Sequence, residues 1–230
     1  MTDQTDSPQD YDGGYDREAD RARLLEAALD HVAFDGWSET ALRAAARDIG
    51  IPLERALNAF PGGAAELVAL HSTTADRAMV EALEREPLAE MRVRDKAARA
   101  IRLRLEANLR HREAVRSAVT FLMLPQNAGL AARLLYKTID AIWYAIGDRS
   151  TDFNFYTKRG LLSAVYGATL FFWLNDKTEG CAATWGFLDR RIDEAMRVPQ
   201  ALGRLTKITE RLPFPRRAFR RPFRTRSARG

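Results

Sequence analysis

The chain has 230 residues, 46% hydrophobic and 29% charged, a size that suits one domain with tails and a substantial core. Helix formers (Ala, Leu, Arg, Glu) fill most windows and β-branched clusters are scarce, which argues against a sheet protein. The net charge of +5 conceals a segregation: residues 1–20 carry seven Asp/Glu against one Arg, and residues 199–230 carry ten Lys/Arg against one Glu. The partner signal therefore sits in the C-terminal tail rather than in the nearly balanced middle. A lone cysteine, Cys181, excludes an internal disulfide framework and fits a reducing compartment. The acidic N-terminus lacks the apolar segment of a signal peptide and the Arg-rich, acid-poor character of a transit peptide. A bacterial cytosol is the expected compartment.

In chain order, residues 1–16 are poor in hydrophobics and are expected to be disordered. A first helix is predicted from Arg17 to Phe34, with Leu24, Leu25, Ala28 and Val32 on one face. A second, capped by Ser38, runs through Ile49. After Gly50-Ile51-Pro52 comes a short third helix, Leu53 to Ala59, closed by Phe60-Pro61-Gly62-Gly63. Residues 17–63 thus form a helix-turn-helix pattern. A fourth helix spans Ala64 to Glu86. A fifth, Val93 to Leu109, has an apolar stripe at Val93, Ala97, Ile101, Leu105 and Leu109 and is crowded with Arg and Lys elsewhere. Further helices are expected through Ala118 and Leu122, from Leu130 to Ile146, from Leu161 to Leu174, and from Trp185 to Met196, the last stopped by Pro199. The fold class is all-α, with residues 64–198 as the larger helical domain. The most apolar run, Gly160 to Leu174, has 15 residues, fewer than the ~20 a spanning helix needs.

Few residues carry enzymatic chemistry. His31, His71 and His111 are isolated, so no metal site is implied. Cys181 has no local His and no helix start behind it that would clearly activate it. No glycine loop has the residues of a phosphate cradle. The third helix offers only Arg55 and Asn58 to base edges, with Glu54 opposing phosphate, so specific DNA binding is not expected. The helix from Leu161 to Leu174 is apolar on almost every face, which fits either a central core helix or the wall of an apolar cavity that Trp143 and Ile146 could face.

Two segments stand out. Between Gly147 and Arg159, carboxylates, bases and amides surround Phe153, Phe155 and Tyr156. Such a mixture fits either a docking surface or a capped turn whose aromatics fold back on the core; Asp148 and Asp152 fit a salt-bridged cap with Lys158 and Arg159 better than an acid/base pair. In the tail, Leu202, Leu205, Ile208 and Leu212 recur at helical spacing among Arg204, Lys207 and Arg211. Beyond Pro213, Phe214, Phe219 and Phe223 alternate with arginines. A basic amphipathic helix with Phe and Arg suits an anionic membrane surface; an RNA-binding arm is the rival.

These residues resemble the ubiquinone-biosynthesis accessory lipid-binding family, the ninth Coq protein. The likeness runs through Phe60-Pro61-Gly62-Gly63 with Glu66-Leu67-Val68, Arg102 to Glu106, Asp140-Ala141-Ile142-Trp143, the Gly147–Arg159 run, Tyr166, Trp185-Gly186-Phe187-Leu188 and Arg191-Ile192, covering about residues 20–197. The resemblance implies a TetR-like fold, a homodimer, a bound isoprenoid lipid or ubiquinone intermediate, no cofactor and no catalysis. It implies Leu122, Trp143, Ile146, Leu162, Tyr166, Leu170 and Trp173 as lipid-lining candidates. A patch of Asp148, Asp152, Phe155, Tyr156, Lys158 and Arg159 is implied as the dock for the demethoxyubiquinone hydroxylase. The protein would then sit peripherally on the inner face of the bacterial cytoplasmic membrane. The chain departs from the family in having Phe155 where a Trp is expected, and in its Arg/Phe tail. A TetR-type ligand-sensing regulator is the alternative.

Overall fold

The computed structural model describes residues 16–147 and 153–210, without the side chains of 153–156, 196 and 198–210. Among the described residues there are nine α-helices and no strand: α1 (Arg17–Asp35), α2 (Glu39–Asp48), α3 (Leu53–Ala59), α4 (Gly63–Leu83), α5 (Val93–Glu106), α6 (Arg112–Leu122), α7 (Ala128–Ala145), α8 (Phe153–Asn175) and α9 (Ala182–Glu210). No helix among them is long and apolar enough to cross a membrane. The acidic stretch 1–15 lies outside the described residues, as do Leu212, Phe214, Phe219 and Phe223 and the side chains of Leu202, Leu205 and Ile208.

Local chemistry sets the helix ends. The Asp16 carboxylate accepts from the backbone N–H groups of Glu18 and Ala19, both at 3.1 Å, and starts α1. Ser38 accepts from the Ala41 N–H and starts α2. Gly50, at φ 67°, makes the reversal between α2 and α3 that an L side chain would strain. The turn from α3 into α4 is clamped from α1. Arg21 donates to the Ala59 carbonyl at 2.6 Å and to the Glu66 carboxylate, and its guanidinium lies 4.6 Å from the Phe60 ring centre. Glu66 in turn accepts from the Gly62 N–H at 2.9 Å. Burial pushes the Glu66 carboxyl up, but the Gly62 N–H and Arg21 outweigh it and hold it below the usual carboxylate range.

Two apolar cores result. The first joins α1, α2 and α3 to the start of α4 and to α6 and α7, around Leu24, Val32, Trp37, Leu42, Phe60 and Leu67. The second gathers α4, α5, α7, α8 and α9 around Met79, Ile101, Ile139, Ile142, Trp173 and Leu188. The nearly all-round apolarity of α8 is divided between neighbours: Leu162, Val165, Trp173 and Leu174 are buried in the second core, while exposed Phe172 stacks on Phe187 of α9 with ring centres 4.5 Å apart.

Several boundaries differ from those the sequence predicts: α4 ends at Leu83 rather than Glu86, and α8 begins at Phe153 rather than Leu161. α5 ends at Glu106, and both ends of its stripe, Val93 and Leu109, are exposed. α9 continues through Pro199 to Glu210 rather than stopping there; proline fits helical φ, at the cost of one hydrogen bond and a crowded carbonyl. A helix does begin directly after Cys181. Its cap is not adjacent in sequence: Asp176 accepts from the N–H and hydroxyl groups of both Thr178 and Thr184, at 2.6–2.8 Å, and Thr178 Oγ1 accepts from the Ala183 N–H.

This four-bond carboxylate is buried. Burial pushes it up, but the threonine hydrogen bonds outweigh that and hold it well below the usual carboxylate range. Its folded-state pKa is depressed, so its contribution is full above the ~4 of an unfolded aspartate and is lost as pH falls. Asp176→Ala should cost about 2 kcal/mol in urea unfolding at pH 7. The gap between variant and wild type should narrow steadily below pH 4.

Candidate functional site

A cavity of about 250 Å³ lies between α4, α5, α6, α7 and α8. Its walls are mainly apolar, with Val115, Val119 and Leu122 from α6, Leu134 and Leu135 from α7, and Leu170 from α8. Met123 and Phe171 belong to the lining and are 70% and 49% exposed, so they frame an apolar mouth. The volume is just under the ~300–1,000 Å³ of ordinary ligand sites; a long chain would have to extend out through that mouth.

The polar end of the cavity is built on Arg104. Burial alone would lower its pKa, but Tyr166 and Asp76 outweigh that and keep the guanidinium charged. Its Nε donates to Asp76 Oδ1 at 2.7 Å, Nη1 to the Tyr166 hydroxyl at 2.5 Å, and Nη2 to Ser72 Oγ at 3.1 Å and Thr138 Oγ1 at 3.3 Å. The Thr138 hydroxyl in turn donates a hydrogen bond to Asp76 at 3.0 Å. One guanidinium thus ties α5 to α4, α7 and α8. Its charge is cancelled by Asp76, and burial pushes the Tyr166 phenol up, so it stays protonated.

His71 lines the same cavity and rests tilted against Trp37, ring centres 5.3 Å apart. Burial, with the charge of Arg104 behind it, pushes this imidazole down to about 4, so it is neutral near pH 7. Trp37 donates its indole N–H to the Ala114 carbonyl at 3.0 Å, joining the helix-turn-helix core to α6. No group of three His, Cys, Asp or Glu among the described residues could hold a metal ion.

Of the seven lipid-lining candidates, Leu122, Tyr166 and Leu170 lie on the wall of the cavity. Trp143, Ile146, Leu162 and Trp173 are buried in the second core instead. The cavity-facing residues of α8 are Tyr166, Gly167, Leu170 and Phe171, a single stripe one turn deep. Trp173 packs beneath the Arg112 guanidinium, 4.7 Å from its ring centre, and Trp143 lies under Lys158. Sequence reasoning missed Arg104, Asp76, Ser72, Thr138 and His71. The available signal was position: Arg104 falls between Ile101 and Leu105 on the buried side of α5, where a free cation would be prohibitive.

Within the proposed docking patch, Asp148 and Asp152 and the side chains of Phe155 and Tyr156 lie outside the described residues. Arg159 donates to Asp140 of α7 at 2.7 Å and is largely buried, and Lys158 lies 5.7 Å from the Trp143 ring centre. On α3, Arg55 donates to the buried carboxylate of Asp20 at 2.9 Å, so one of the two residues available for base edges is engaged within the fold. Asn58 is exposed.

Removing one partner of a buried ion pair leaves an uncompensated charge at a cost of about 3–5 kcal/mol, whereas replacing both with apolar groups is often near neutral. Asp76→Leu should therefore destabilise strongly in denaturant titration. Adding Arg104→Met to it should recover a large part of the loss, with a positive coupling in the double-mutant cycle.

Residues 128–199 match the COQ9 family model. The chain is 33% identical to the mitochondrial ubiquinone biosynthesis protein COQ9 of Rattus norvegicus, over 85% of this chain and 64% of that protein. Against the Homo sapiens protein the identity is 33%, over 76% and 57%. Against COQ9-B of Xenopus laevis it is 30%, over 91% and 73%. The chain thus spans about three-fifths of the rat and human relatives. A TetR transcriptional regulator from Nitrosomonas europaea superposes with a TM-score of 0.62 at 20% identity, over 76% of this chain and 97% of that one, which establishes the TetR-like all-α fold. The curated relatives are named as mitochondrial, which overturns the expected bacterial cytosol and cytoplasmic membrane. That expectation rested on one cysteine, which does not separate one reducing compartment from another, and on an acidic N-terminus unlike a transit peptide. By sequence, the chain belongs to the COQ9 family of ubiquinone biosynthesis proteins.

Proposed function

We propose that this chain is a non-enzymatic lipid-binding accessory protein of ubiquinone synthesis. It takes the isoprenoid chain of a quinone intermediate into the α4–α8 cavity and presents the intermediate to the pathway's hydroxylase, with the 147–159 segment as the dock. One observation carries the reading: the cavity is apolar along its walls, opens between two exposed apolar side chains, and ends on a charge-neutral polar floor. Such a space suits a long apolar ligand with a small polar end. A homodimer is part of the proposal. So is a membrane role for the tail, supported by the ten Lys/Arg of residues 199–230 with their interleaved Phe and Leu; each base adds on the order of 1 kcal/mol toward anionic lipid. A DNA-reading role is not adopted, because Arg55 is held by Asp20.

Gly167 offers a direct test. It lies on the cavity wall, and a Cβ built there meets no atom within 4 Å. Gly167→Leu should fill the cavity without backbone strain, and helix propensity favours it by up to about 1 kcal/mol. In mass spectrometry of co-purifying lipids, wild type should carry isoprenoid quinone intermediates, and the variant should lose them with no drop in melting temperature. Undiminished lipid in Gly167→Leu would contradict the assignment. For the tail, deletion of residues 199–230 should abolish flotation with anionic liposomes and leave the lipid load intact. Stronger binding to single-stranded RNA than to liposomes at matched ionic strength would overturn the membrane role.

A further inference from the structure

The Tyr166 hydroxyl has an unused hydrogen-bonding half. It accepts from Arg104 at 2.5 Å, the residue is 5% exposed, and no acceptor for its own proton occurs among the described residues. The Ser72 hydroxyl is in the same position, accepting from Arg104 at 3.1 Å with its proton uncommitted among those residues. Thr138 differs: its proton goes to Asp76. Tyr166, Ser72, Thr138 and Arg104 line the cavity with His71, which has no hydrogen-bond partner among the described residues. A buried donor without an acceptor costs about 1–3 kcal/mol, so the site is incomplete at Tyr166 without a ligand atom or water, and the half-buried Ser72 offers a second donor beside it.

The electrostatics select the kind of atom. Arg104 is already neutralised by Asp76 at 2.7 Å, so an anionic headgroup would bring a second negative charge beside that carboxylate. A cationic one would meet the guanidinium itself. Donation from Arg104 into both hydroxyl oxygens polarises their O–H bonds and makes each a better donor than an isolated hydroxyl.

We propose that the cavity recognises a neutral, oxygen-bearing headgroup, a ring carbonyl above all, which accepts a hydrogen bond from Tyr166, with Ser72 as a second donor. The inference rests on the proposed reading of the cavity as a lipid site and adds the headgroup class and the residues that select it. The ligand's ring would sit at the Arg104 end and its chain would run toward Met123 and Phe171.

Two probes with the same chain on a six-membered ring, one with ring carbonyls and one without, separate headgroup recognition from chain burial: 2-decyl-1,4-benzoquinone and decylbenzene, titrated by equilibrium dialysis into the full-length protein and its Tyr166→Phe variant. One neutral hydrogen bond corresponds to roughly a threefold to tenfold change in affinity. Tyr166→Phe should weaken the quinone by that factor and leave decylbenzene unchanged. Equal effects on both probes, or none on either, would overturn headgroup recognition while leaving the apolar cavity standing. If wild type binds neither probe, the lipid-site reading falls and this inference with it. Should Tyr166→Phe fail to fold, the infrared carbonyl band of the quinone bound to wild type decides. A component shifted down from its position in hydrocarbon is expected, and an unshifted band overturns the proposal.

Discussion

A guanidinium in a helical core has to be neutralised and hydrogen-bonded, and the second half of this fold is arranged around that requirement at Arg104. Asp76 supplies the charge and Tyr166, Ser72 and Thr138 the remaining acceptors, drawing α4, α7 and α8 onto α5. Because these contacts come from three different helices, the helices converge at Arg104. Toward α6 the same helices present Leu, Val and Ala side chains that do not fill the space between them. The outcome is a cavity whose polar end carries no net charge.

Charged groups elsewhere in the chain also serve the scaffold. Arg21 and Glu66 fix the turn by which α4 leaves the helix-turn-helix core, and Arg55 is tied to Asp20. Through Arg21 and Arg55 the three-helix unit is bound together and joined to the start of α4. Trp37 connects this unit to the cavity through its contact with His71 and its hydrogen bond to α6. The TetR-like architecture thus appears here with its first helices bound into the body of the protein, in a family named for ubiquinone synthesis.

Much of the architecture was legible because it is written locally. Ser38 caps α2, Gly50 reverses the chain, and α3 has the limits its flanking Pro52 and Phe60 suggest. The misses share one physical origin, in that they depend on residues distant in sequence. Asp176 caps α9 from across a turn, so the helix start behind Cys181 has no adjacent signal. Arg104 appeared to be one of many bases on α5, and only Asp76, 28 residues earlier, makes its burial possible. Trp143 and Trp173 have the composition of cavity residues but belong to the second core, since apolarity alone does not separate a filled space from an empty one. Leu122, Tyr166 and Leu170 lie on the inner faces of α6 and α8, along the cavity wall.

The central claim is that the space between α4 and α8 holds an apolar chain with its polar end at Arg104. Photo-crosslinking with an isoprenoid quinone that carries a diazirine midway along its chain, followed by peptide mapping, addresses it most directly. The account predicts adducts on α6, α7 and α8 at residues such as Leu122, Leu135 and Leu170, lost in competition with unlabelled quinone. Labelling confined to the exposed surface or to residues 199–230, with the cavity wall unmodified, would contradict it.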